Sequence, residues 1–304
     1  MRRMCWGLCL LAAVWPGLAM AEEFEQGLAT LWEVLWHQSG APTRVIRWEN
    51  DIHFRMTGVN LAVNRERMLE ALRAVTTEAG VTLVDVSNEP GAQANLSVEF
   101  TADNSLEDNQ PCVTVLDFKT ETRIDSATIQ MRSRDARRCA YHEAMHLMGV
   151  RGHPAGKTVL SYFPGTVDGL LPLDRTMLRA WYSRRMGSGM TPLEALPVLA
   201  DELLATAPDK LVTTRTRDSF IATTFQQMVA FANGQGDIPI AVKRSGKATD
   251  EGIRYGRAEM SYFLSLAYLD GTTVARDTQL AMRWLERAAN QGNRPAQARL
   301  GGVR

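Results

Sequence analysis

The chain has 304 residues, 22% charged and 45% hydrophobic, with 34 basic residues balanced by 34 acidic ones. That composition belongs to a folded globular chain of about two domains and excludes the disordered and collagen-like classes. Zero net charge argues against nucleic-acid binding, which needs a surplus of Lys and Arg on one face. Past the N-terminus, no apolar run approaches the ~20 residues that cross a bilayer.

In chain order, residues 1–21 read as a secretory signal peptide. Arg2 and Arg3 form a positive start, Leu8 to Val14 an apolar stretch, and Pro16-Gly17 a break before the small triplet Ala19-Met20-Ala21. Cleavage after Ala21 implies an exported protein, periplasmic or secreted, with no transmembrane anchor left behind; the alternative is an uncleaved anchor. Export also reduces the four cysteines to two, because Cys5 and Cys9 leave with the signal. An oxidising compartment then favours one disulfide between Cys112 and Cys139, the alternative being two buried free thiols. The bridge would close a loop of about 27 residues, worth on the order of 3 kcal/mol in loop-closure entropy.

Residues 22–41 hold an amphipathic helix over 22–38, with Phe24, Leu28, Leu31, Trp32, Leu35 and Trp36 at helical spacing and a stop at Ser39-Gly40-Ala41-Pro42. The Trp32 and Trp36 stripe reads as core. A strand-like Val45 to Met56 follows, then a helix around Arg65 to Ala79 closed by Gly80. Short strands are expected near Val81 to Val86, Asn95 to Phe100, Cys112 to Phe118 and Ala127 to Met131. Strand signals largely disappear after Met131, and from Thr191 onward the composition is helical. The fold class expected is α+β over 42–190, followed by an α-helical domain over 191–304.

Three of the five histidines fall within twelve residues. His142-Glu143-Ala144-Met145-His146 places two imidazoles at i and i+4, one turn apart on one helix face, where both can meet a single Zn²⁺. Glu143 would face the open coordination position and take a proton from bound water. Ser133-Arg134-Asp135 supplies helix-start residues and Gly149 a helix stop. A catalytic zinc wants a third ligand, and His153 just past the glycine turn is the candidate, ahead of the isolated His37 and His53. Cys139 stands three residues before His142, so the bridge is expected to fix the start of this helix. Arg132, Arg134, Arg137 and Arg138 form a basic cluster beside it, expected as a solvated face.

This segment resembles the metzincin clan of zinc metallopeptidases. His142, Glu143, His146 and Gly149 match the motif in place, while Gly152 occupies the usual third-ligand position and His153 follows one residue late. Thr158-Val159-Leu160-Ser161-Tyr162-Phe163 is similar to the family's Met-turn, with Leu160 at the methionine position. The resemblance implies a zincin domain with a small mixed sheet and an active-site helix, one Zn²⁺ per chain held by His142, His146 and His153, and Glu143 as base. It also implies that Tyr162 approaches the metal or steadies the tetrahedral intermediate. Leu173-Asp174-Arg175 to Tyr182, then Gly189-Met190-Thr191, looks like the tail of an uncharacterised exported bacterial family related to metzincins. Many members of that family lack the second histidine.

Near the C-terminus, residues 258–301 resemble a Sel1-like repeat through Ala258, Leu264, Tyr268, Gly271, Asp277, Ala281, Trp284, Ala288, Gly292 and Ala296. Ser265 and Thr273 depart from it where glycines are usual. Phe231, Gly234 and Gly236 precede Tyr268, Gly271 and Thr273 by 37 residues each, which hints at a degenerate repeat upstream. Helical repeats bury a shared core by stacking and offer a surface to protein partners. Two functions follow from these resemblances. The first is an exported zinc metalloendopeptidase acting on a peptide or protein substrate. The alternative is a non-catalytic adaptor on a metzincin-like scaffold that binds a protein partner through its repeats.

Overall fold

The computed structural model describes residues 16–37, 39–102, 104–107, 110–161 and 168–301. Helix α1 (Pro16–Glu33) begins and ends earlier than the expected 22–38, and the expected cleavage point after Ala21 lies inside it. Beyond Glu33 the chain turns, yet Leu35 and Trp36 remain buried. The apolar spacing therefore continues past the helix because tertiary packing, not helical geometry, buries those two side chains. Trp32 and Trp36 meet edge to face at 5.8 Å within the core, as the sequence led us to expect.

The stretch from Val45 to Met56 divides at Glu49-Asn50-Asp51 into β1 (Arg47–Trp48) and β2 (Ile52–Gly58). Next come α2 (Leu61–Ala79), whose last turn closes on Gly80, then β3 (Leu83–Asp85), β4 (Leu96–Thr101), β5 (Cys112–Thr120) and β6 (Arg123–Arg132). They form one six-stranded sheet in the order β1-β6-β4-β2-β3, with β5 paired to β6. Every pairing is parallel except β5 with β6. The architecture is therefore mixed α/β with a largely parallel sheet, rather than segregated α+β, because α2 intervenes between the parallel neighbours β2 and β3. Strand alternation sets the buried face: Phe54 aligns with Leu96, Met56 with Val98, Val98 with Ile129 and Phe100 with Met131, all buried.

A 3₁₀ turn (Ser133–Asp135) leads from β6 into α3 (Ala136–Leu147). All later regular elements among the described residues are helices: α4 (Pro172–Trp181), α5 (Pro192–Thr206), α6 (Lys210–Ala232), α7 (Ile240–Arg244), α8 (Asp250–Asp270), α9 (Thr278–Asn290) and α10 (Arg294–Gly301). None of the helices among the described residues is long and apolar enough to cross a membrane. The larger of two hydrophobic clusters runs from Leu31 through the sheet and α3 to Ala296, and Phe24, Leu28 and Ala200 form the smaller one. Trp36 and Phe231, edge to face at 6.4 Å, join the two halves of the chain inside it.

A candidate metal centre on helix α3

Helix α3 is held at both ends. At its start Asp135 makes no side-chain cap. Instead its carboxylate gathers Arg132, at 2.8 Å, with Arg134 and Arg138, while Arg137 pairs with Asp168. The basic cluster is thus largely neutralised by neighbouring carboxylates. At the far end Trp48 Nε1 donates to the Leu147 carbonyl (2.8 Å) and the Tyr182 hydroxyl to the Met148 carbonyl (3.0 Å), covering acceptors that the helix leaves open. Gly149 then turns with φ +88°, and a Cβ there would lie 2.1 Å from the Ile46 carbonyl oxygen, so only glycine fits. Cys112 and Cys139 form the expected disulfide, with Cα atoms 6.2 Å apart. It ties the head of β5 to α3, three residues before His142.

The three clustered histidines converge. His142 and His146 Nε2 lie 3.1 Å apart, His146 and His153 Nε2 3.0 Å, and His142 and His153 Nε2 3.3 Å. A tetrahedral Zn²⁺ with bonds of about 2.0–2.1 Å holds its ligand nitrogens about 3.3 Å apart, so this triangle matches one face of such a site. The outer nitrogens decide the protonation. His142 Nδ1 sits 2.8 Å from the Val159 carbonyl, and His146 Nδ1 sits 2.7 Å from the Val150 carbonyl. A carbonyl only accepts, so each Nδ1 carries the proton and each Nε2 turns a lone pair inward. Lone pairs facing one another at 3 Å repel unless a cation lies among them. Burial also keeps the rings neutral. It is the largest influence holding His142 below the usual imidazole range and His146 well below it, while His153 is held at about 3 by burial, then by His142 and His37. The triad could therefore hold a divalent metal ion.

Packing explains why the third histidine stands one residue late. A Cβ on Gly152 would lie 2.5 Å from Val34 Cα and 2.6 Å from the Glu33 carbonyl oxygen. The loop is pressed onto the backbone at the end of α1, at the position where the resemblance expects a ligand, and the next residue turns its ring toward His142 and His146 on α3 instead.

Glu143 is buried on α3. The Thr114 hydroxyl of β5 donates to its Oε2 at 2.6 Å, and Oε1 bonds to no described residue. Burial pushes the carboxyl up to about 7, and the Thr114 hydrogen bond pulls only partly against it. Leu160, which the resemblance sets at the methionine position, is fully buried in the core. Its turn is pinned from α4: the Asp174 carboxylate accepts the N–H groups of Val159 (3.2 Å) and Leu171 (2.8 Å). Asp174 thereby sets the Val159 carbonyl that orients His142. Tyr162 lies outside the described residues.

His37 and His53 do not join the triad. Arg151 donates to His37 Nε2 at 2.8 Å, and burial, followed by that cation, holds His37 at about 4. His53 sits on β2, away from the cluster. Thr114 is not marked in the sequence, and Asp174 is marked there only as part of a resemblance, without its role at the His142 turn. Thr114 lies in an alternating strand where nothing marks one hydroxyl as special, whereas Asp174 carried a usable signal: Pro172 at the first position of a helix with an acid two residues on.

A family model described as Sel1 repeat matches residues 258–293. No curated protein matches the chain, and no solved structure does. The matched region covers α8 from Ala258 onward and α9, with the turn between them: Gly271 ends α8 in the left-handed conformation, and the Asp277 side chain caps α9 by accepting the Leu280 N–H at 2.8 Å. Ser265, where a glycine is usual, is buried but donates to the Tyr262 carbonyl (2.7 Å), so the departure leaves no unmade hydrogen bond. The repeat supports a protein-interaction role.

Proposed function

We propose that this protein is an exported zinc-dependent metallopeptidase, with a metzincin-like centre on α3. The observation that carries the reading is the convergence of three neutral imidazole nitrogens, two from α3 and one from the loop after it, with Glu143 buried next to His142 on α3. Zn²⁺ held by His142, His146 and His153 would supply Lewis acidity toward a peptide carbonyl and make water a stronger acid. Glu143 provides the proton acceptor. Oε2 is fixed by Thr114, so Oε1 takes the proton from the attacking water and returns it to the departing amine nitrogen. Burial favours both steps, because a carboxyl lifted towards neutral pH accepts and releases a proton with little bias. Strand β5 pairs only with β6 among the described residues and carries Thr114, so an extended peptide can add to its free edge beside the site. Tyr162 remains the proposed oxyanion partner.

Metal analysis of the purified protein should find about one zinc per chain. Glu143→Ala should keep that zinc and lose roughly 10²–10⁴-fold in cleavage of a broad peptide library. Cleavage that survives the substitution would sink the mechanism. The Sel1 match favours a second reading, an adaptor on the same scaffold. Protein that holds zinc yet cleaves no library peptide would favour it.

A further inference from the structure

The loop carrying His153 rests on α1 and, through α1, on the C-terminal half. Gly152 lies against the Glu33 and Val34 backbone, and Gly156 against the Thr30 side chain. Glu33 closes α1 with its side chain only 9% exposed. Its Oε2 accepts the Ala155 N–H at 2.9 Å, two residues past the third histidine. The same oxygen is ion-paired with the Arg244 guanidinium on α7. The segment after α1 is seated on the same region, since a Cβ on Gly256 of α8 would lie 2.7 Å from the Gly40 carbonyl oxygen.

We propose that Glu33 and Arg244 are positioning residues of the metal centre, through which the C-terminal helices hold His153 in place. This inference rests on the metal-centre reading above. Burying a carboxylate is costly without a partner, and Arg244 is that partner. Held by it, Glu33 anchors the Ala155 amide and so the loop. Helix α3 alone offers two nitrogens, and the third depends on this relay. By linkage, metal bound at the triad must in turn tighten the docking of α7 by the same factor.

The test titrates full-length protein with Zn²⁺ and with Co²⁺, whose visible absorption reports the number of nitrogen ligands. Arg244→Gln and Glu33→Gln should each weaken zinc binding about 10- to 100-fold and shift the cobalt spectrum to that of a site lacking one imidazole. Lys243→Gln, on the same short helix, should match the unsubstituted protein, and Arg244→Lys should recover part of the loss. Unchanged affinity and spectrum in folded Arg244→Gln and Glu33→Gln would overturn the inference. Absence of zinc and cobalt binding in the unsubstituted protein would instead overturn the metal-centre reading. Should the substituted chains fail to fold, hydrogen exchange of the unsubstituted protein decides. Zinc should slow exchange in α7, and no change there would overturn the coupling.

Discussion

Asp174 shows how one side chain can reach the histidine triad without touching it. Its buried carboxylate accepts the Leu171 and Val159 amides and a hydrogen bond from the Thr158 side chain, yet burial outweighs all three and lifts it to about 6. A carboxyl raised on folding is most favourable while protonated. Its contribution to stability is therefore complete below about pH 4 and is lost as pH rises through about 6. A lift from 3.8 to about 6 corresponds to about 3 kcal/mol between those limits. Urea titration of metal-free protein between pH 4 and 7 should show Asp174→Asn flattening that part of the stability profile. The same substitution places an amide donor against amide donors, frees the Val159 carbonyl from its pinned turn, and should weaken zinc binding about tenfold. An unchanged pH slope would mean that Asp174 is not buried as described.

At the scale of elements, α3 was legible because several signals agreed: paired histidines at helical spacing, a glycine that only a left-handed turn explains, and two cysteines beyond the N-terminal segment that reads as a signal. The limits of α1 were not legible, since Leu35 and Trp36 keep the apolar rhythm while the backbone has already left the helix. Nor could the place of His153 be derived from spacing, because it depends on how closely Gly152 meets the backbone of Glu33 and Val34, a contact between segments more than 100 residues apart. The same long-range logic gives the disulfide its role. Cys112 and Thr114 sit two residues apart on β5, one bonded to Cys139 and the other to Glu143, so the bridge and the hydrogen bond fix one strand to successive turns of one helix. Replacing both cysteines by serine should lower the unfolding free energy by on the order of 3 kcal/mol. It should also lower cleavage more than zinc occupancy, since Glu143 depends on β5 and the histidines do not. Equal losses in both, measured by metal content and peptide hydrolysis, would separate the bridge from the positioning of Glu143.

For the whole molecule, the question is whether residues 42–190 form a unit of their own, as their composition and the metzincin resemblance imply. The sheet and α3 lie within that span, but the support of the His153 loop does not. Gly152 and Gly156 rest on α1, which packs on α5 and α6, and Glu33 of α1 is paired with Arg244. The core follows the same path, with Trp36 meeting Phe231 and buried side chains continuing from Met145 to Met260. Cutting the chain at 42 and 190 would expose that apolar surface at roughly 25 cal/mol per Å², a cost large against the 5–15 kcal/mol by which a domain is usually stable. A fragment of residues 42–190 should therefore unfold without a cooperative transition and bind zinc far more weakly than the full chain, whereas the full chain should melt as one unit whose midpoint rises with added zinc. Calorimetry of both proteins, with and without metal, makes the comparison. A fragment that melts cooperatively and binds zinc as tightly as the full chain would show that the C-terminal helices only accompany the centre, and that α3 and its loop are complete without them.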